Sequence, residues 1–172
     1  DNVTPCLYGG LTLIRSISPV EVLNIPVPKS IMVVLIHPHF RLDTKLSRAV
    51  LKSTLPIADF VKQSSNLAGF LTGCFTNNVK LINHSLSDVL IEPRRKHLLP
   101  AFDSVKQAAL DAGALGMSIS GSGPSCFAWC DGSETAEQVR QSMVKAFETE
   151  GLIVDAFISP ISETGAKIIS KS

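Results

Sequence analysis

The chain has 172 residues, 45% of them hydrophobic and only 18% charged, with a mean hydropathy of +0.26 and a formal net charge of +1. Such a balance excludes a disordered tail, which is charge-rich and poor in aliphatics, and it lacks the basic surplus by which nucleic-acid binders neutralise phosphate. The length suits one compact core, although a charged fraction below the ~25% usual in soluble domains makes the chain greasy for a unit standing alone.

Residues 1–30 are rich in turn formers. Gly9-Gly10 precede the apolar Leu11 to Ile14, and prolines stand at 19, 26 and 28, which predicts a short strand followed by a connector. Ile31 to Ile36 is apolar at every position and predicts a strand buried on both faces, ended by His37-Pro38. This is the longest unbroken apolar run, and its six residues fall far short of the ~20 needed to cross a bilayer.

Four helical stretches follow. Asp43 is a plausible N-cap for a helix from Thr44 to about Ser53. From Pro56 to Phe75 the apolar residues 57, 60, 61, 67, 70, 71, 74 and 75 keep helical spacing, as do Val79, Ile82, Leu86, Val89 and Leu90 between Asn78 and Leu90. From Pro100 to Ala112 the stripe is Phe102, Val105, Ala109 and Leu110, with Pro opening the helix and Gly113 stopping it.

The remainder reads as β-loop-β-α-β-β. Met117 to Ser120 and Cys126 to Cys130 are strands flanking Gly121-Ser122-Gly123-Pro124. Ser133 caps a helix that turns Val139, Met143 and Phe147 inward and ends at Gly151. Leu152 to Ile158 and Ala166 to Ile169 are the last strands. The sum is α+β, a small, mainly antiparallel sheet with helices on one side.

None of the cysteines (Cys6, Cys74, Cys126, Cys130) forms a C-x-x-C, and His37, His39, His84 and His97 lack metal-ligand spacing. Cys126 and Cys130 lie four apart in a strand, share a face, and read as core residues. The chain therefore reads as carrying no metal of its own, in a reducing, cytoplasmic compartment. It shows no targeting or membrane segment.

The sharpest local feature is Ser118-Ile-Ser-Gly-Ser-Gly-Pro-Ser125. Glycines at alternate positions let the backbone approach another group and turn N–H groups toward an anion, and the hydroxyls of Ser118, Ser120 and Ser122 add donors. The pattern is neither a P-loop nor the dinucleotide fingerprint. Spacing alone leaves open a plain glycine-containing hairpin with nothing bound.

Gly113 to Asp131, with this loop at its centre, closely resembles the C-terminal glycine motif of the GHMP kinases, and among them the homoserine kinases. Other matches lie in order along the chain. Asp1-Asn2-Val-Thr-Pro-Cys-Leu-Tyr-Gly-Gly10 is similar to the family's "H-x-DN-x-x-P-…-GG" without its leading His. Thr44-Lys-Leu-Ser-Arg48 with Leu55-Pro56 resembles "T-x-x-x-R…LP". Ile91-Glu-Pro-Arg-Arg95 with Leu98-Leu-Pro100 resembles "EP-x-R…L-(I/L)-P", and Thr164-Gly-Ala-Lys resembles the closing "GA(R/K)". The family's phosphate motif, P-x-G-x-G-L-G-S-S-A, does not occur.

The resemblance implies a ferredoxin-like C-terminal domain over 29–172, preceded by a remnant (1–28) of an N-terminal kinase domain. The implied reaction is ATP-dependent phosphorylation of the L-homoserine side-chain hydroxyl, with ATP and Mg²⁺ bound mainly by that N-terminal domain in cis. Asp1, Asn2, Thr44, Arg48 and Arg95 fall on its substrate positions, Arg94 remaining a surface charge. Asn2 stands where related kinases carry an Asp base. Ser120, Gly121, Ser122 and Gly123 form the loop that closes the site. The expected partners are L-homoserine, ATP and the N-terminal domain, with a homodimer common in the family, and neither nucleic acid nor membrane. Two alternatives stay open: a non-catalytic amino-acid-binding module, and a GHMP kinase for a different small alcohol. An RNA-binding sheet is disfavoured by a single Trp and a single Tyr.

Overall fold

The computed structural model describes residues 3–51 and 54–170. In chain order the elements are α1 (Val3–Tyr8), β1 (Leu11–Ile17), β2 (Val20–Ile25), β3 (Ile31–Pro38), α2 (Thr44–Ala49), α3 (Ile57–Phe75), α4 (Val79–Ser85) and α5 (Glu92–Arg95). A 3₁₀ turn (Lys96–Leu98), α6 (Phe102–Asp111), β4 (Gly116–Ile119), β5 (Cys126–Asp131), α7 (Ser133–Thr149) and β6 (Val154–Pro160) complete them.

The main sheet has the order β4-β5-β3-β6 and is antiparallel throughout. Taking β3, α6, β4, β5, α7 and β6 in turn gives the split β-α-β-β-α-β arrangement of ferredoxin-like folds. The α+β class and antiparallel sheet stand as the sequence implies.

Because β3 and β5 are apolar at consecutive positions, both faces of the sheet need cover. On one face Val34, Ile36, Cys126, Ala128 and Cys130 pack under Phe102, Val105 and Ala109 of α6 and Val139, Met143 and Phe147 of α7. On the other, Val33, Phe127 and Trp129 meet Phe70 and Cys74 of α3, Ile82 of α4, and Leu11, Leu13 and Ile25 of the β1–β2 hairpin. Phe70 stands edge-on to Trp129 with centroids 5.2 Å apart. One-sided cover thus describes α6 and α7, while the α3–α4 pair lies across the opposite face.

The first thirty residues differ from the expected strand and connector. They form a short helix and a hairpin, β1 pairing with β2 from Leu11↔Ile25 to Ile17↔Val20. The predicted strand at Ala166 to Ile169 is absent, and β6 is the last strand among the described residues. That segment is held elsewhere: the Ala166 N–H donates to the Cys6 carbonyl (2.8 Å) and the Gly10 N–H to the Ser162 carbonyl (2.7 Å). Gly9, at φ +72°, lies so close to it that an added Cβ would sit 2.6 Å from the Gly165 nitrogen; at Gly165 a Cβ would meet the Leu7 carbonyl oxygen at 2.1 Å. Gly9 of the opening "GG" and Gly165 of the closing "GA" therefore meet backbone to backbone, with no room for a side chain at either.

Two boundaries also shift. The helix predicted to reach Leu90 ends at Ser85, because the Asp88 carboxylate accepts the N–H groups of Leu90 (2.7 Å), Ile91 (2.8 Å) and Glu92 (3.1 Å) and starts α5 afresh. Gly132, at φ +90°, takes the N-cap position of α7 that the sequence assigns to Ser133.

Candidate active site

α2 is only six residues long, and its Asp43 cap forms as expected, accepting the Lys45 N–H at 2.8 Å. Thr44 and Arg48, one turn apart, are both exposed on its outer side. Ser47 faces inward, fully buried, and its hydroxyl donates to the Ser122 carbonyl at 3.0 Å.

Arg95, at the end of α5, bridges these parts. Its Nε donates to the Ser47 carbonyl at 3.0 Å and its Nη1 to the Gly121 carbonyl at 2.9 Å. One planar guanidinium thus ties α2 to the glycine loop and keeps three of its five N–H donors for another group. The structure brings Arg95, α2 and the loop together, with Thr44 and Arg48 on the open side of the same helix. Asp1 and Asn2 lie outside the described residues.

The loop joining β4 to β5 is closed internally, the Ser120 N–H donating to the Ser125 carbonyl (2.8 Å) and the Gly123 N–H to the Ser120 carbonyl (3.0 Å). Those two amides are not turned toward an anion. Gly123, at φ +83°, sits where a Cβ would come within 3.1 Å of Leu42 and 3.3 Å of Ile119. Ser118, expected as a loop donor, instead points its hydroxyl to the buried carboxylate of Glu92 at 2.7 Å, and Lys106 pairs with the other oxygen.

Glu92 and Ser47 are the residues that sequence reasoning missed. Both stand inside quoted motifs, Glu92 in "EP" and Ser47 within Thr44-Lys-Leu-Ser-Arg48. Arg94, read from the sequence as a surface charge, is half-buried and its guanidinium donates to the Leu90 carbonyl. At the far end of the loop, His37 Nδ1 and the Ser125 hydroxyl are 2.8 Å apart.

Burial raises the Cys126 thiol to about 12, reinforced by the nearby Glu92 charge, and burial alone raises Cys130 to about 11. Neither is a nucleophile at neutral pH. Among the described residues no group of three or more His, Cys, Asp or Glu is placed to hold a metal ion, and no helix is long and apolar enough to cross a membrane.

Two clefts lie near or opposite this cluster. One of about 270 Å³, between α3 and β4, is lined by Gln63, Asn66, Phe70, Leu86, Ser118 and Phe127. A larger one of about 580 Å³, between β2 and the end of β6, is lined by Asn24, Ile25, Pro28, Lys29, Ile161 and Glu163. Thr44, Arg48 and Arg95 line neither.

Residues 66–149 match the family described as GHMP kinases C terminal. The homoserine kinase of Chlorobaculum tepidum is 43% identical over 172 residues, 99% of this chain and 53% of that protein. The homoserine kinase of Xylella fastidiosa is 40% identical over 98% of this chain and 52% of its own length. The chain thus spans about half the length of the curated relatives it matches. The crystal structure of homoserine kinase from Cytophaga hutchinsonii superposes with a TM-score of 0.95 at 43% identity, over 97% of this chain and 53% of that one. Mevalonate kinase from L. major, at 15% identity and a TM-score of 0.63 over 92% of this chain and 51% of its own, shares the fold. With the domain and the superposition in agreement, residues 66–149 carry a GHMP kinase C-terminal domain, and the chain is similar along its length to the half of homoserine kinases that holds that domain.

Proposed function

We propose that this chain is the substrate-side half of a homoserine kinase, which transfers the γ-phosphoryl group of ATP to the side-chain hydroxyl of L-homoserine, giving O-phospho-L-homoserine on the way to threonine. The observation that carries this reading is the junction at Arg95, where the motif residues of α2, α5 and the glycine loop meet through hydrogen bonds to the carbonyls of Ser47, Gly121 and Ser122.

Phosphoryl transfer needs the acceptor fixed at both ends so that its hydroxyl lies in line with the phosphorus. Arg48, exposed on the open side of α2, and the three donors of Arg95 that do not serve Ser47 or Gly121 suit an α-carboxylate, which takes two parallel charge-assisted bonds. Thr44 adds a hydroxyl one turn before Arg48. In this reading Asp1 faces the substrate ammonium. Asn2 stands where related kinases have an Asp and cannot take a proton, so positioning and phosphate electrostatics replace a protein base. Ser120 to Gly123 close the site as a shaped wall, consistent with their internal hydrogen bonds.

The one buried carboxylate among the described residues, Glu92, is committed to Lys106 and Ser118. We therefore assign ATP and Mg²⁺ to the N-terminal domain in cis, with residues 1–28 as a remnant of that domain and 29–172 as the C-terminal domain. Bound there, Mg²⁺ would supply charge neutralisation at the transferring phosphoryl group. Arg48 and Arg95 favour a carboxylate-bearing acceptor over a sugar, and Asp1, which in this reading takes the ammonium, favours an amino acid over mevalonate.

The test is a coupled ADP-release assay on the full-length protein and on residues 1–172 alone. Turnover with L-homoserine by the full-length protein and none by the isolated chain is the expected result. Phosphorylation of mevalonate in preference to homoserine, or turnover by the chain alone, overturns the assignment.

A further inference from the structure

A helix of six residues such as α2 has no stability of its own in water and must be held by its surroundings. Its sequence supplies no apolar anchor. Leu46 is 49% exposed, Thr44, Lys45, Arg48 and Ala49 also face solvent, and among the described residues of this helix Ser47 alone is buried. The pose of α2, and with it the positions of Thr44 and Arg48, therefore depends chiefly on what Ser47 touches.

Ser47 is held from two directions. Its hydroxyl donates to the Ser122 carbonyl and its own carbonyl accepts from Arg95 Nε, both at 3.0 Å. Arg95 Nη1 donates in turn to the Gly121 carbonyl at 2.9 Å, and Gly121 and Ser122 are consecutive. The three hydrogen bonds close a ring that runs from Ser47 to Ser122, Gly121, Arg95 and back. The carbonyl that Arg95 grips belongs to the peptide unit whose nitrogen is that of Arg48. One rigid plane thus connects the two arginines. A serine within a helix can return its hydroxyl to the carbonyl one turn earlier, but this one sends it to a residue 75 positions away. Alanine would fit the same buried space and leave the ring open.

We infer that Ser47 is a positioning residue for the acceptor. Fully buried, it has no access to substrate; through the ring it sets the spacing of Arg48 and Arg95 on which a two-arginine grip on one carboxylate depends. This inference rests on the homoserine kinase reading above.

The experiment is steady-state kinetics on the full-length protein and its Ser47→Ala variant with two acceptors, L-homoserine and L-homoserine amide. The amide keeps the hydroxyl and the ammonium but has no carboxylate charge. Ser47→Ala should raise KM for homoserine about three- to tenfold, the equivalent of one neutral hydrogen bond, with kcat and KM for ATP little changed. The preference for homoserine over its amide, taken as a ratio of kcat/KM values, should fall by the same factor. A purely structural role would depress both acceptors alike, so an unchanged ratio overturns the inference, as does an unchanged KM for homoserine. If Ser47→Ala does not fold, as judged by circular dichroism, Ser47→Cys decides by the same two readouts, since a thiol fills a similar space and is a weak donor. The unsubstituted protein tests the underlying reading separately. No turnover of homoserine, or no preference for it over the amide, would remove the two-arginine site itself and the role of Ser47 with it.

Discussion

Arg48 and Arg95 belong to the same proposed carboxylate site, yet the structure assigns them different energetic roles. Arg95 holds the Ser47 and Gly121 carbonyls at 3.0 and 2.9 Å, whereas the Arg48 side chain is exposed and makes no hydrogen bond among the described residues. A hydrogen bond from a charged group contributes about 1.5–3 kcal/mol when dry, and partial exposure of the guanidinium reduces this to about 1 kcal/mol each. Arg95→Ala in the full-length protein should therefore cost about 2 kcal/mol and lower Tm by several degrees, at roughly 2–4 °C per kcal/mol for a protein of this size class. Arg95→Lys, which reaches one carbonyl, should recover about half. Arg48→Ala should change stability by less than about 0.5 kcal/mol. In steady-state kinetics it should raise KM for homoserine by about 30–100-fold, the equivalent of about 2–3 kcal/mol for a lost bidentate contact, with KM for ATP unchanged. Thermal unfolding and initial-rate kinetics on the three variants decide the matter. Equal destabilisation by Arg48→Ala and Arg95→Ala, or an Arg95→Ala variant with unchanged Tm, would refute the division of roles.

Glu92→Ala should cost about 2–3 kcal/mol, since Lys106 and Ser118 both lose their partner; in a double-mutant cycle with Lys106→Ala the two losses should fall well short of adding, and strict additivity counts against the pair. Gly165→Ala should destabilise the Gly9–Gly165 junction because the new Cβ meets backbone at 2.1 Å, read as faster hydrogen exchange at the Ala166 and Gly10 amides; unchanged exchange would show that the junction yields. Alkali should weaken the fold. Cys126 and Cys130 are raised above the ordinary 9.0 to about 12 and about 11, so the folded chain holds protons that the unfolded chain releases. Stability is complete below pH 9 and falls above it by about 1.4 kcal/mol per pH unit for each thiol, up to its folded value. The urea midpoint should drop between pH 8 and pH 10, and Cys126→Ala should flatten that slope; a slope unaltered by the substitution speaks against the thiols as its source.

The elements read correctly from the sequence were those in which a single periodicity runs long enough to be unmistakable. β3, α3, α6 and α7 all fall in this class, as does the hairpin turn between β4 and β5. The first thirty residues were harder. Their prolines and paired glycines signal turns equally well for a connector and for the helix-plus-hairpin that forms, and the pairing of Leu11 with Ile25 is a contact no local pattern contains. Ala166 to Ile169 has strand composition, but its amide is taken by Cys6, some 160 residues earlier in the chain. At the site, motif resemblance located Arg48 and Arg95 without revealing their division of labour. Ser47 and Glu92 escaped because a serine and a glutamate are ordinarily exposed. Their burial arises from partners at Ser122, and at Lys106 and Ser118, which only the folded chain brings within reach.

A sheet covered on both faces loses the usual guard against slippage. In a half-exposed strand, a one-residue shift drives polar groups into the core, and that penalty fixes the pairing. β3 and β5 are apolar on either side, so a shifted register would bury oil just as well. What differs between the faces is bulk. Beneath α6 and α7, β5 offers Cys126, Ala128 and Cys130, while toward α3 and the hairpin it offers Phe127 and Trp129. A slip by one would push an indole and a phenyl ring under helices seated on small side chains and open voids where the rings had been. In this fold, alignment is enforced by volume.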